Sequence, residues 1–384
     1  MQIYKCDLKG CDSDAIPEKL YFELKAKVQA IINKLIAKGF EEKEIKIYFD
    51  DTQRLISFDY YPDEIDALFY YLNLTNEEFP SNYVRKPFEK NGWIGNRLRW
   101  TYKKSDEEIL QSIDQLCQQY DKKNQEPEGE GSTIKLKLPK NDNNYRNYDE
   151  RNKNILDSLK SLFKGEVRGC FIGEIHHHQY PKRFLIEHLK ELKEIGIDTL
   201  FIEFLYYDAH QALLDEYFKG TKDALPATLE SFLNYKDSIT NCKKYKYGDI
   251  VVAAKKAGIR VVGLDCYDSL LSFGEFFSRV EKNARIKTFN IHAYNIIKKE
   301  SKGRYAAFMG LDHSYINGHT AYPQLKSVAE LCSNSCSVHL SDDNVSVASL
   351  GLFKFNGYPL FANEENVKFE RSNQCFGATM VSVL

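Results

Sequence analysis

The sequence predicts an α/β protein: a mostly parallel, helix-flanked sheet preceded by a small α+β domain. Three observations carry this. Apolar runs of strand length recur at 169–173, 199–203, 260–264 and 305–310, and segments of helical period lie between them. Each run leads into an acid: Glu174, Glu203, Asp265 or Asp312. A polar stretch at 123–152, poor in large apolar groups, cannot bury much surface and separates this half from what precedes it.

Taken in order, 17–39 reads as a helix, with Pro17 in the first turn and Gly39 at the stop. Strands are expected at 46–50 and 54–61, a helix near 63–74, a strand at 98–103 and a helix at 106–120. This first domain, 1–122, holds no cluster of catalytic residue types, and its role stays open between targeting, regulation and substrate recognition. Trp93 and Trp100 read as packing residues. The linker, 123–152, contains one alternating stretch at 133–138. The main domain, 153–384, follows as alternating elements. Helix 155–163 leads to strand 169–173. A helix from Pro181 carries Phe184, Leu185, Leu189 and Leu192 on one face and stops at Gly196. Strand 199–203 follows, then helix 209–218, with Asp208 and Gln211 as an expected capping box. A Tyr/Lys-rich connector leads to helix 249–257, strand 260–264, helix 278–298 and strand 305–310. Short strands are expected at 337–340, 345–350 and 379–383.

Composition narrows the function. The 384 residues are 43% hydrophobic and carry a net charge of -2, so no global basic footprint marks a nucleic-acid partner. No apolar run approaches the ~18 residues that span a bilayer. The polar start, MQIYKCDLKG, lacks the apolar stretch of a secretory signal. Nine scattered cysteines without a Cys-x-x-Cys pair read as reduced thiols. No long apolar or basic amphipathic helix supports peripheral membrane contact.

The chemistry-bearing residues gather at strand ends. In an open parallel sheet these ends face one crevice. Gly173-x-x-His176 and Gly310-x-x-His313 bring imidazoles there, beside Glu174, Glu203, Asp265 and Asp312. Two imidazoles and a carboxylate can hold a divalent metal, here through His176, Glu203 and His313. They can also place one His as general base with a carboxylate orienting it. His176 is expected to face the crevice, His177 and His178 to be solvated or to support it from behind, His188 to be a structural histidine, and His319 to reach the rim. Cys266 reads as a structural thiol. Arg183, Arg285 and Lys287 could serve an anionic substrate or solvate helix surfaces. No Walker loop, Rossmann fingerprint or G-x-S-x-G elbow occurs.

Gly173-x-x-His176, Glu203 and Gly310-x-x-His313 together resemble the Tiki/ChaN/erythromycin-esterase superfamily. FIGEIHHHQYPKRFLIEHLKELKEIGIDTLFIEFLYYDAHQALLDEYF, GIRVVGLDC and AAFMGLDHS resemble, more closely, the membrane-targeted effector domain of bacterial toxins, a branch of that superfamily, over roughly 165–335. The resemblance implies a bacterial effector, cytoplasmic in its producer and then translocated into a host cell. It implies His176, Glu203 and His313 as site positions, Glu174 beside the first His, and Asp265 in the branch's Asp-Cys step. The chain departs from the branch at Phe204, where His is frequent, and at Asp312, where Ser is frequent; both bear on metal binding. Members of the superfamily include a metalloprotease, an esterase and a haem binder.

The expected function is a hydrolase, metal-assisted or His-based, using catalytic His176, Glu203, His313 and Glu174 with Asp265, Asp312 and Arg285 in support. Its substrate would be a host protein or a small molecule. The alternatives are a nucleotidyl or other group transferase, with Arg285 and Lys287 on phosphates, and a non-catalytic module binding haem or an anionic ligand.

Overall fold

The computed structural model describes residues 4–7, 18–51, 55–58, 62–72, 99–101, 106–126, 148–165, 167–273, 280–281, 283–314, 324–332, 334–340, 342, 349–351, 354–355 and 358–359. Trp93, His319 and the strands expected at 133–138 and 379–383 lie outside the described residues. In chain order the elements are β1 (Tyr4–Asp7), α1 (Glu18–Ala37), β2 (Ile47–Asp50), β3 (Leu55–Phe58), α2 (Pro62–Tyr71), β4 (Arg99–Thr101), α3 (Asp106–Asn124), α4 (Tyr148–Phe163), β5 (Gly169–Glu174), α5 (Tyr180–Glu194), β6 (Ile197–Tyr206), α6 (Tyr207–Lys219), α7 (Ala227–Ile239), α8 (Tyr247–Ala257), β7 (Arg260–Asp265), α9 (Tyr267–Phe273), α10 (Ala284–Glu300), β8 (Arg304–Gly310), α11 (Leu311–Ser314), α12 (Val328–Leu331), β9 (Ser335–His339), β10 (Ser349–Gly351), β11 (Lys354–Phe355) and β12 (Tyr358–Pro359).

The chain divides into two compact units, 1–111 with 222–239, and 112–221 with 240–384. The first unit has an antiparallel four-stranded sheet of order β2-β3-β1-β4. Helix α1 buries Tyr21, Val28, Ile31 and Leu35, a helical spacing that lines one face. Helices α2 and α7 pack together, burying Ala67, Leu68, Leu229, Phe232 and Leu233.

The second unit is built on a sheet of order β10-β9-β5-β8-β6-β7. Every pairing from β9 to β7 is parallel, and β10 adds an antiparallel edge. Strand β5 is buried along its whole length, as expected of a strand covered on both faces. Helix α10 packs against β7, α9 and α12. The glycines at the ends of α5 and α8 have φ of +100° (Gly196) and +69° (Gly258), conformations a side chain resists, and both helices stop there.

The topology itself opens a crevice. From β5 the chain crosses to β6 on one side of its neighbour β8; from β8 it returns to β9 across β5. Right-handed crossovers send these two connections to opposite faces of the sheet. Adjacent strands whose following chain leaves on opposite faces part at their carboxyl ends. Those ends are Glu174 and Gly310, which are register partners.

Three local expectations change. Strand β6 runs to Tyr206, so Glu203 lies inside it rather than at its end, at a register shift against β7 between Ile202 and Tyr206. Such an irregularity re-aims side chains. Asp208 and Gln211 form no capping box: the residue before α6 is Tyr206, without a side-chain cap. Gln211 instead donates to Val261 O and accepts from Gly263 N–H, fastening α6 to β7. The connector before α8 contains helix α7.

Candidate functional site

The carboxyl end of β5 places Glu174, 2% exposed, inside the protein. Its two oxygens are fully used. Oε2 accepts from Lys182 Nζ at 2.5 Å; Oε1 accepts from Tyr247 Oη at 2.6 Å and faces His176 Nδ1 at 3.1 Å. Lys182 is itself fully buried and also donates to His176 O and His178 O, so one ammonium group holds both the carboxylate and the turn after it. Burial alone would raise Glu174, but the Lys182 charge and the His176 contact hold its carboxyl below the usual range. An ionised carboxylate can only accept. The proton on His176 therefore sits on Nδ1, and Nε2 is left as the basic nitrogen.

The His176 ring is 40% exposed at its side chain and lies 4.7 Å from the Phe204 ring. Burial opposes its charge, yet the Glu174 hydrogen bond and the charges of Glu203 and Glu174 raise it above the ordinary imidazole value. Gly310 lies against its other edge. A Cβ there would stand 3.1 Å from His176 Cε1 and 3.3 Å from both His176 Nε2 and Glu203 Oε2. The missing side chain is what lets these groups approach.

Glu203 is 6% exposed, and its Oε2 accepts from Gly310 N–H. Burial raises its carboxyl above the usual range, against the pull of the His176 charge and the Gly310 N–H. Its Oε1 stands 3.9 Å from His313 Nε2. His313 is placed by α11, just after β8, and its Nδ1 contacts Asn290 Oδ1 at 2.7 Å. Asn290 Nδ2 donates to Lys326 O, so the amide oxygen faces the ring and His313 Nδ1 is the donor. Its Nε2 consequently turns toward Glu203. The ring also packs on Phe289 at 4.2 Å.

Asp265 and Arg285 pair next to this group, near enough for their charges to act on Glu203: Arg285 lowers its carboxyl and Asp265 raises it. Asp265 is held by both guanidinium nitrogens of Arg285, at 3.0 and 2.8 Å, and caps Cys266 N–H. Lys287 is paired with Asp121 and Glu281, and Arg183 with Glu187. Asp312 is exposed. Burial and the Asp265 charge push the Cys266 thiol well up, which suits a structural role. His177 is exposed, while buried His178 accepts from Asp342 N–H. His188 contacts Asn152 and Glu191. As the side chains stand, no three His, Cys, Asp or Glu among the described residues converge to hold a metal ion.

Sequence reasoning passed over Lys182, Tyr247 and Asn290. The one signal for Lys182 is its position in the first turn of a helix whose neighbours are apolar. Nothing local marks Tyr247 or Asn290, because the partners of each lie tens of residues away.

No family model matches the chain, and no curated protein matches it. Solved structures do. RRSP, a MARTX toxin effector domain from Vibrio vulnificus CMCP6, is similar with a TM-score of 0.59 and 16% identity over 90% of this chain and 65% of that one. Two structures described as bacterial protein toxins have TM-scores of 0.54 and 0.51, at 16% and 17% identity, over 89% of this chain and 66% of theirs. This chain thus spans just under two thirds of each. The likeness is one of fold. No described helix is long and apolar enough to cross a membrane.

Proposed function

We propose that this chain is a bacterial effector that acts in a host cell as a hydrolase, with His176 as general base. One observation carries the chemistry: His176, partly open to solvent, is held through Nδ1 by a carboxylate that buried Lys182 and Tyr247 keep ionised. That arrangement aims a basic Nε2 at the crevice. The likeness to toxin structures supports the setting; the two Gly-x-x-His steps of the sequence are what favour membership of the Tiki/ChaN superfamily.

In this reading a water gives its proton to His176 Nε2 as its oxygen attacks the scissile bond, and the imidazolium then returns that proton to the leaving group as the bond breaks. The imidazolium so formed lies between the charges of Glu174 and Glu203, which both favour it. Glu203, out of water, exerts that pull more strongly than it would in solvent. His313, held through Nδ1–H by Asn290, would stabilise the charge that develops on the substrate or leaving group in its doubly protonated form, with Nε2–H as the donor. The His-based route is put forward because the Glu174 contact fixes the His176 proton on Nδ1 and leaves Nε2 basic. The test is incubation of wild-type and His176→Ala protein with host-cell lysate, following new protein termini and released small molecules by mass spectrometry. Products that need His176 support hydrolysis. Equal products from a folded His176→Ala protein would overturn it. Radiolabel passing from a nucleotide to a host protein would favour the transferase.

A further inference from the structure

We propose that the loop at 240–246 recognises an acidic polypeptide segment of the substrate, through Lys243, Lys244 and Lys246. The inference rests on His176 being the reacting centre, because the loop is fastened to the turn that carries it. Cys242 Sγ donates to His176 O at 3.2 Å. The N–H groups of Lys244 and Tyr245 both donate to Gln179 Oε1, at 3.1 and 3.0 Å. Immediately after the loop, Tyr247 bonds Glu174. Asn241 takes a left-handed φ of 56°, which folds the loop back on itself. The loop is therefore a fixed edge of the site.

The charges on that edge are unanswered. Lys243, Lys244 and Lys246 are all exposed, and among the described residues none makes an ion pair. Lys244 Nζ instead lies 5.1 Å over the Tyr245 ring. The nearby acids are occupied: Asp342 accepts from Gln179 and Tyr180 N–H, Asp249 from Lys246 N–H, and Glu187 from Arg183. In a chain of net charge -2 this run is a local excess. Three exposed positive charges on a loop fastened to the turn of His176 select and steer a negatively charged flank of the substrate. An anionic membrane is the poorer fit, since basic lipid-binding clusters hold about 4–8 Lys/Arg.

The test uses full-length His176→Ala protein, so that turnover cannot consume the probe. The probe is a fluorescein-labelled dodecapeptide of alternating Glu and Gly, read by anisotropy at low salt. The expected result is binding that weakens about tenfold or more in the added Lys243→Glu/Lys244→Glu/Lys246→Glu change. The same charge change on α4 and just beyond it, Lys153→Glu/Lys160→Glu/Lys164→Glu, is expected to weaken it less than about twofold. No binding, equal weakening by both triple changes, or binding kept in the loop variant would each overturn the proposal. So would phosphatidylserine vesicles captured in preference to the peptide by way of these lysines. Loss of the hydrolase reading shows separately, as lysate products that do not need His176.

Discussion

The two halves of the site use the same residue types and shift their carboxylates in opposite directions. On one side Glu174 meets His176; on the other Glu203 meets His313. Both carboxylates are nearly out of contact with solvent. Glu174 has an ammonium, a phenol and an imidazole on its oxygens and is held ionised. Glu203 has one backbone N–H and is shifted the other way. Burial is common to both, so the difference lies in what each packs against. A buried carboxylate becomes a fixed charge or a labile one according to its donors.

The largest expected effect comes from His176→Ala, about 10³–10⁴-fold lower turnover with an unchanged circular dichroism spectrum. Next, Lys182→Met strips the clamped side of its counter-charge. It should cost about 3–5 kcal/mol of folding stability, read by urea unfolding, because Glu174 would be left charged and buried. A stability loss under about 1 kcal/mol would mean Glu174 does not need its ammonium partner.

Glu203→Gln removes charge from the other side while keeping the Gly310 contact available. Turnover should fall about 10–100-fold. The pH profile should move as well. His176 must lose its proton to act, so activity rises as pH climbs through its raised value. Removing one of the two negative charges that raise it shifts this acidic limb to lower pH. An unmoved limb would separate Glu203 from His176. Tyr247→Phe is the finer probe: with one donor fewer, Glu174 pulls harder on His176 Nδ1–H. The limb should then rise, by less than about one pH unit. The smallest effect expected is from prolonged dialysis against EDTA, which should leave turnover unchanged. Activity lost on dialysis and restored by zinc would move the reading to metal assistance through His176, Glu203 and His313.

Much of the architecture was legible because it is written locally. The run CFIG between glycines and the run RVVGL after Gly258 are too apolar and too short for anything but buried strands, and both are strands. Gly196 and Gly258 marked helix stops that their positive φ explains. Helix α7 was not legible: Asn234, Lys236, Asp237 and Ser238 blur its period, although Leu229, Phe232 and Leu233 are buried. The candidate site divides in the same way. His176, Glu174, Glu203 and His313 stand out beside strands, where polar residues interrupt apolar runs. Their partners do not, since Lys182 reads as an ordinary helix lysine and Asn290 as an ordinary polar residue until the sheet brings them close. The register shift around Glu203 within β6 is likewise a property of pairing with β7, which no single strand encodes.

Gly310 has a consequence for how the site could be silenced. Every group that could react would survive a Gly310→Ala change, yet the added methyl would occupy the gap between the His176 ring and Glu203. His176 and Glu203 would each have to give by a few tenths of an ångström. On the general-base reading, such a protein would keep the full chemical inventory and the surfaces that bind substrate, and lose turnover alone.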